Sequence, residues 1–384
     1  MMRLAALAAA VALTASGVAP AANPVPSGSP AAAGYLPVGR DEQGLWSEMA
    51  EAERELKASK LLVREEALLA YLRKVLCRVA PADACQTVRI YVIRKAEFNA
   101  GMTPNGMLLV NTGLLLRMRS EAELAAVLGH EVAHFERRHS LAQLQKARSA
   151  TGWAAFLGAA GALPLSLAMI GGFFSFSQDQ EREADMDGLK AMRAAGYWTR
   201  SSADIWAHLR AEMDATAAAR NVRSRKDKRG MFETHPATAD RLAYLASSAA
   251  ADPEGQTGTA DYQTAISPLW PMLIDDQIKL NDFGGSEFVL AGLAGNGWTG
   301  PLLYARAELY RFRGQAGDLE KSAGFYKEAL AKPEAPDVAW RGLGLALARA
   351  GDAPGSKAAI DEYLKRHPEA SDKAMLTMIT GGMQ

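Results

Sequence analysis

The sequence predicts an α+β protein that is mostly helical and ends in a purely helical region. Three observations predict this class. Apolar residues recur with helical periodicity along most of the chain. Two short β-branched runs lie between residues 87 and 110, and beyond about residue 250 the composition changes and helical patterns follow. With 384 residues, the chain is long enough for two domains.

Residues 1–21 have the three parts of a secretory signal peptide. Arg3 gives the positive end, residues 4–13 form a short apolar core, and residues 19–21 provide an A-x-A cleavage site. The apolar core is too short to span a bilayer. Residues 22–40, rich in Ala, Pro, Gly and Ser, are predicted to be a flexible linker. We therefore expect an exported protein, located in the periplasm if the source is a Gram-negative bacterium.

Residues 41–79 predict one or two helices, and the two cysteines of the chain lie near their end. The spacing of Cys77 and Cys85 suits a short disulfide in an oxidising compartment, closing the loop between a helix and a strand. Metal binding by both cysteines is the alternative. The absence of a C-x-x-C spacing and of a neighbouring histidine disfavours it.

Two strands are predicted next. Residues 87–93 form one β-branched run and residues 107–110 form another, with the turn residues 103–106 between them. A predicted helix follows, so this part of the chain is an α+β unit.

Residues 120–140 contain the motif H-E-x-x-H on this predicted helix. Apolar positions recur there at three- and four-residue steps. His130 and His134 therefore lie one turn apart on the same face, where two imidazoles can bind one ion. Glu131 lies beside them, where a carboxylate can reach a metal-bound water. Because the chain has only six histidines, this spacing indicates a zinc hydrolase rather than scattered surface histidines.

A catalytic zinc site needs a third protein ligand. His139 does not fit, because on a continued helix it lies roughly 140° around the axis from His134. We expect His139 at the surface or in contact with a ligand side chain. Glu181, on a second predicted helix at residues 177–192, is expected to be the third ligand. Asp185, one turn further on, can accept the spare N–H of a ligand histidine.

The second predicted helix has two different faces. Ala184 and Gly188 lie on the face of Glu181, and their small size lets the two helices approach closely. Glu183 and Asp187 lie off this face, and we expect them to be solvent-exposed with i,i+4 ion pairs.

The two motifs, in this order, resemble those of the M48 family of zinc metallopeptidases, gluzincins whose second motif is E-x-x-x-D. The resemblance covers about residues 41–250. It departs from the family pattern at Gln178, where an Arg is usual, and at Gly101, where a Phe is usual. Further similar segments are Asn99-Ala100, residues 106–115, residues 121–125, and His235-Pro236 with Arg241.

The resemblance implies roles for residues outside the two motifs. His235 would lie near the zinc as a gate or a transition-state donor, and an ordinary cap before Pro236 is an equal alternative. Arg241 is expected to pair with a carboxylate of the core. In gluzincins an edge strand beside the zinc binds the substrate backbone, and a strand that only covers the helix is the alternative. By order along the chain, this strand is Met107, Leu108, Leu109, Val110 and Asn111.

Residues 151–177, between the two motifs, contain no charged residue. Their length could satisfy a membrane span. Pro164 and Gly171-Gly172 interrupt the stretch, however, and a single crossing would separate the two ligand-bearing helices. We expect a buried helical hairpin or a lid over the cleft. Contact with a membrane stays the alternative, because members of the resembled family place membrane helices in this interval.

The formal net charge of the chain is zero. This balance argues against nucleic acid or an anionic membrane as the main partner. The basic run at residues 220–229 is predicted to be a solvated loop, with an active-site flap or a contact for acidic substrates as the alternative.

Residues 251–260 predict a linker, and residues 261–384 predict a helical domain. Two units of similar sequence end near Leu330 and Leu364, which are 34 residues apart. Residues 340–351 fit the first helix of a tetratricopeptide repeat. A generic α-hairpin is the alternative to these TPR-like repeats.

The sequence therefore predicts a zinc-dependent endopeptidase that cleaves exported proteins, misfolded or unassembled, with one Zn²⁺ per chain. Glu131 is expected to take the proton of the metal-bound water and deliver it to the leaving amine. The alternative function is a periplasmic chaperone or assembly factor that contacts other envelope proteins through its TPR-like repeats, with a latent protease site. A membrane-embedded prenyl-protein protease is disfavoured, because several long apolar spans are lacking.

Overall fold

A computed structural model describes residues 28–149, 176–224, 238–295 and 297–381. Four of the predicted features lie wholly or partly outside the described residues: the signal peptide, the apolar stretch 151–177, the basic run 220–229, and His235 with Pro236. Within the described ranges, no helix combines the length and the apolar character needed to cross a membrane.

The first part of the chain forms a four-stranded sheet in the order β1-β2-β4-β3. β2 and β4 pair in parallel, with Ile90 opposite Leu108, while the two outer pairs are antiparallel. The residues of β4 are all buried. The strands are β1 (Leu62–Val63), β2 (Arg89–Ile93), β3 (Ala100–Met102) and β4 (Met107–Asn111).

The prediction that residues 107–111 form the sheet edge is wrong. β4 is paired with β2 on one side and with β3 on the other, so its backbone has no open side. Among the described strands, the edge on this side of the sheet is β3. The sequence did not single out β3 as a strand. The reason is that chain order does not fix strand order. β3 and β4 form a hairpin through the predicted turn, where Gly106 has a φ of 85°, and β4 rather than β3 then pairs with β2.

Within residues 28–149, six helices accompany this sheet. The disulfide Cys77–Cys85 is present, which confirms that prediction; it joins α2 to the short helix α3 just before β2. The helices are α1 (Gly39–Ala58), α2 (Glu66–Val79), α3 (Ala82–Thr87), α4 (Thr112–Arg117), α5 (Glu121–Glu136) and α6 (His139–Ser149).

The prediction of a flexible linker over residues 22–40 is wrong for its described part. Ala31 is only 1% exposed and belongs to the main hydrophobic core. The carbonyl of Gly28 accepts a hydrogen bond from Arg138 Nη1 at 2.9 Å, and the carbonyl of Ala31 accepts one from Thr87 Oγ1 at 2.9 Å. A composition rich in small residues does not exclude packing where backbone groups find partners.

From residue 176 onward, the described residues form helices and no strand, apart from one isolated bridge between Tyr197 and Gln256. The first of these helices, α7 (Gln178–Ala194), crosses α5 closely, as predicted. The closeness shows at Gly188, where an added Cβ would lie only 3.1 Å from the backbone nitrogen of His130. The helices of this part are α7 (Gln178–Ala194), α8 (Ser201–Ala219), α9 (Ala239–Ala249), α10 (Thr259–Ile266), α11 (Trp270–Lys279), α12 (Phe283–Leu293), α13 (Gly300–Arg313), α14 (Asp318–Leu330), α15 (Val338–Ala350), α16 (Ala353–Arg366) and α17 (Lys373–Gly381).

The predicted linker at residues 251–260 is packed against the sheet-containing region. Its carbonyls at Gln256 and Thr257 accept hydrogen bonds from the amides of Trp198 and Ala122, at 3.0 and 2.9 Å. The main core continues from the sheet into α10–α13 without a break. The domain boundary near residue 250 stays a prediction.

The helices α13 to α16 pack as consecutive antiparallel neighbours around their own apolar cluster. Leu330 and Leu364, the two residues 34 positions apart, lie near the ends of α14 and α16. This placement is what a repeated helical hairpin requires. The TPR-like assignment itself stays a prediction.

Candidate metal centre

Helix α5 is the central element of the site. Ser120 caps its N-terminus, accepting a hydrogen bond from the amide of Glu123 at 3.2 Å. Glu121 in the first turn is 1% exposed, and its carboxylate accepts hydrogen bonds from Arg78 Nη1 at 2.9 Å and Tyr197 OH at 2.7 Å. The helix is therefore held at its start by paired polar groups, and the rest of it lies inside the core.

The two histidines of α5 converge as the motif predicts. His130 and His134 are 6% and 2% exposed, and their Nε2 atoms are 2.9 Å apart. The ring of His134 also stacks on Phe176, with centroids 3.9 Å apart. Both Nε2 atoms thus point at one position inside the protein.

Helix α7 brings a carboxylate to the same position. A capping box between Ser177 and Gln180 starts this helix, and Glu181 follows directly, 6% exposed. Its Oε1 is 3.6 Å from His134 Nε2, and its Oε2 is 3.6 Å from His130 Nε2. The three potential ligand atoms lie within 4.8 Å of one another. Two imidazoles and one carboxylate form a donor set that fits catalytic zinc and leaves one coordination position for water.

A buried ion-pair network surrounds His130. Its Nδ1 lies 2.8 Å from Asp185 Oδ1, as predicted. Arg241 is 3% exposed and grips Asp185 with two nitrogens, at 2.7 and 2.6 Å, which confirms the predicted pairing with a core carboxylate. Arg241 Nη1 is also 2.9 Å from Glu181 Oε2. Burial opposes ionisation of Asp185, but the charge of Arg241 overcomes it and lowers the pKa of Asp185.

His134 is supported in a different way. Its Nδ1 lies 2.8 Å from Nδ1 of His139, and Nε2 of His139 lies 3.2 Å from Glu183 Oε2. His139 is 4% exposed, so of the two expectations for this residue, contact with a ligand side chain is confirmed. The 140° argument assumed a continued helix, whereas α5 ends at Glu136 and the chain turns back at Arg138, whose φ is 52°.

Glu131 connects the site to the edge strand. It is 2% exposed, and its Oε2 accepts a hydrogen bond from the amide of Met102 in β3 at 3.0 Å. The carboxylate next to the ligand histidines is therefore also next to the free side of the sheet. That position suits a group that moves a proton between water and a substrate bound along β3.

A mostly apolar cavity opens beside His130 and Glu131. Arg241 lines this cavity and also contacts Glu181. The guanidinium of Arg241 lies 3.9 Å from the ring centroid of Trp206. The apolar residues that line the cavity are Phe98, Ala100, Leu114, Ala126, Val127, Leu189, Met192, Ile205, Trp206 and Leu245.

Sequence reasoning missed three contributors to the site. The amide of Met102 and the ring of Trp206 carry no motif, because their roles depend only on which elements pack together. Glu183 was expected to be an exposed residue with i,i+4 partners. It is 51% exposed at its side chain, but its partners are His139 and, at 3.4 Å, Arg137, both from another segment.

Comparison with known proteins gives a consistent result. A model of peptidase family M48 matches residues 66–249. The mitochondrial metalloendopeptidase OMA1 of Schizosaccharomyces pombe is 30% identical over 210 residues, which cover 53% of this chain and 58% of that protein. The OMA1 of Arabidopsis thaliana is 32% identical over 126 residues, covering 31% of this chain and 25% of that protein.

A second group of relatives comes from bacteria. The beta-barrel assembly-enhancing protease of Escherichia coli strain K12 is 27% identical over 161 residues, covering 38% of this chain and 33% of that protein. The chain thus spans between a quarter and three fifths of the length of these curated relatives. The match to the family model, residues 66–249, includes the three potential metal ligands.

Proposed function

We propose that this chain is a zinc-dependent endopeptidase of peptidase family M48, whose family model matches residues 66–249. The observation that carries the proposal is the meeting of His130 and His134 from α5 with Glu181 from α7, all buried and within 4.8 Å. Two helices from distant parts of the chain bring together three donors that suit zinc.

The residues present fit the metal and divide the remaining work. When bound, zinc lowers the pKa of a coordinated water to about 7 and polarises a carbonyl. His130, His134 and Glu181 would hold the ion. Glu131, beside them, takes the proton of the attacking water and delivers it to the leaving amine. Asp185 holds His130 so that its Nε2 stays directed at the ion, since its contact is to the opposite nitrogen of the ring.

The edge strand β3 is our proposed site for the substrate backbone, in place of residues 107–111. The amide of Thr103 donates to the carbonyl of Met107, and the amide of Asn111 to that of Asn99. In an antiparallel pair the direction of backbone groups alternates, so Ala100 directs its N–H and C=O groups, and Met102 its C=O group, away from β4, while the N–H of Met102 donates to Glu131. A substrate strand that pairs with them places its backbone beside Glu131.

The apolar cavity supports a preference for an apolar substrate side chain. It begins at Ala100 on the edge strand and continues between Val127, Ile205, Trp206 and Leu245. A side chain that projects from a strand bound along β3 would enter it next to Glu131. Burial of such a side chain contributes about 1.5–3 kcal/mol.

The remaining expectations complete the proposal. His235 is proposed as a donor to the oxyanion, and export to the periplasm by way of the signal peptide at residues 1–21 is proposed as the cellular context. The name that the bacterial relatives share, beta-barrel assembly-enhancing protease, supports envelope proteins as the substrate class. The same name supports the alternative proposal, in which the chain is an assembly factor that contacts partners through α13–α16.

The test combines a metal assay with digestion of an unfolded casein, with and without chelator. We expect about one zinc per chain and cleavage that chelation abolishes. Glu131→Gln should keep the zinc and lose about 10²–10⁴-fold in rate, because it removes the proton carrier. Glu181→Ala should lower the zinc content. Glu136→Gln, at the far end of the same helix, is the matched control and should cleave normally. Unimpaired digestion by Glu131→Gln would refute the mechanism.

A further inference from the structure

The two ligand histidines are held by different kinds of partner, and one of these partners, His139, lies outside both motifs. The Nδ1 of His130 faces a buried carboxylate, Asp185. The Nδ1 of His134 faces an imidazole, His139, whose other nitrogen reaches the half-exposed carboxylate of Glu183. We propose that His139 and Glu183 form a relay that fixes the ring of His134 and sets how firmly the site retains its metal ion.

The direction of each hydrogen bond follows from the chemistry of the rings. The Nε2 of His134 points at the proposed ion, so it must present its lone pair, and the ring proton is then on Nδ1. That N–H donates to Nδ1 of His139, which therefore carries no proton. The proton of His139 is on Nε2 and donates to Glu183 Oε2, 3.2 Å away. All donors and acceptors along His134, His139 and Glu183 are satisfied by this one arrangement.

The backbone explains why His139 faces inward. Arg138 adopts a φ of 52°, a conformation that costs a non-glycine residue free energy. Its guanidinium compensates by contacts with Glu42 at 3.1 Å, the Gly28 carbonyl at 2.9 Å and the Tyr35 hydroxyl at 2.9 Å. This turn ends α5 and starts α6 at His139. The position of His139 is thus built into the fold and does not depend on a surface rotamer.

Asp187, which shares the contact with Arg137, serves as the control for Glu183. Arg137 contacts Glu183 at 3.4 Å and Asp187 at 2.6 Å. Glu183 and Asp187 lie one turn apart on α7 and have similar side-chain exposure, 51% and 42%. Of the two, Glu183 is the one bonded to His139. Comparing them separates loss of the relay from loss of a surface charge.

The relay rests on the proposed zinc function, so its test has one measurement that needs zinc and one that does not. The first is the rate at which the full chain releases zinc to a chromogenic chelator. Partners of metal-bound histidines typically change metal affinity 10–100-fold, and His139→Leu should accelerate release by about that factor. His139→Asn keeps an acceptor near the place of Nδ1 and should restore most of the loss.

Glu183→Ala is expected to accelerate zinc release less than His139→Leu, on the order of a few-fold, because His139 still accepts from His134. Asp187→Ala should release zinc at the wild-type rate. Equal effects of Glu183→Ala and Asp187→Ala, or a wild-type rate in His139→Leu, would overturn the proposal. Thermal unfolding of the metal-free variants checks that each one is folded.

The second measurement is long-range ¹H–¹⁵N NMR of the histidine rings in the metal-free wild-type chain. It should show the proton on Nε2 of His139 and on Nδ1 of His134, because the carboxylate of Glu183 only accepts hydrogen bonds and so fixes both tautomers without a metal ion. The opposite tautomer of His139 would overturn the relay even if zinc binds normally. A chain that binds no zinc would refute the proposed function instead, while this tautomer pair still decides the relay.

Discussion

Two regions of the molecule, the crossing of α5 with α7 and the helical pairs α13–α16, pack their helices in the same way but bury different kinds of side chain. Each brings two helices together at a glycine: Gly188 lies against the backbone of His130, and a Cβ on Gly342 would overlap the ring of Tyr326. The crossing encloses charged groups, including Asp185 and Arg241. The pairs enclose mainly alanine, leucine and tyrosine.

This difference teaches where function can be inferred from packing. Burying a charge costs free energy unless it is paired, and apolar residues of similar volume often stabilise a fold as well or better. The network of Asp185, Arg241 and Glu181 is therefore weak evidence for stability and stronger evidence for a site. The cluster around Tyr326 is mainly apolar, although the hydroxyl of Tyr326 contacts Glu308 and Arg311 of α13, so it is stronger evidence for packing than for a site.

The largest effect that separates the two regions is expected from Arg241→Leu. It leaves Asp185 and Glu181 buried without their cation, and breaking such a network costs about 3–5 kcal/mol. Denaturant unfolding of the metal-free chain measures the loss. Lys357→Ala, which breaks an exposed pair with Asp361 in α16, should change stability little. A comparable loss in both variants would remove the distinction between the two regions.

Gly342→Ala tests the apolar region and should have a smaller effect. The added methyl overlaps the buried ring of Tyr326, and overpacking typically costs about 1–3 kcal/mol. Zinc content should not change, because the site lies in the other region. Gly324→Ala, in α14 with no atom within 4 Å of the new Cβ, should be neutral or stabilising by up to about 1 kcal/mol. Loss of zinc in Gly342→Ala would show that the regions are coupled.

The smallest effect concerns the pH dependence of the sheet-containing region. Burial opposes ionisation of Glu53, but hydrogen bonds from Arg89 and Tyr91 overcome it and lower the pKa of Glu53 to about 2. Because the folded pKa lies below the unfolded one, the ionised group stabilises the fold above about pH 4.5 and this contribution is lost as the pH falls toward 2.

Glu53→Gln should therefore flatten the loss of stability between about pH 4.5 and 2, and lower stability at neutral pH. Unfolding followed by circular dichroism across this range measures both. Glu48→Gln, exposed on the same helix α1, is the control. An unchanged pH slope in Glu53→Gln would assign the acid sensitivity to other carboxylates.

Much of the site could be read from the sequence because it depends on helical periodicity. The spacing of His130 and His134, and that of Glu181 and Asp185, places side chains on one face without knowledge of the fold. Gly188 indicated a close helix approach for the same reason. The disulfide between Cys77 and Cys85 followed from the spacing of the only two cysteines.

The expectations that failed concern arrangement rather than periodicity. Residues 107–111 were correctly expected to be a strand but wrongly placed at the edge, because strand order depends on long-range pairing that no local pattern encodes. The segment 28–38 was expected to be flexible because its composition is typical of linkers, yet Ala31 found a place in the core. For His139, helix geometry left two places open, and the surface was the wrong one, because the helix ends three residues before it.

The sequence by itself determined which side chains can bind a metal ion and which helices carry them, because a local repeat fixes the face on which each residue lies. Only the tertiary structure decided which strand borders the site, which carboxylate Arg241 grips, and that His139 turns back to His134. These outcomes depend on a positive φ at one residue and on contacts between segments far apart in the chain, and such contacts exist only once the chain has folded.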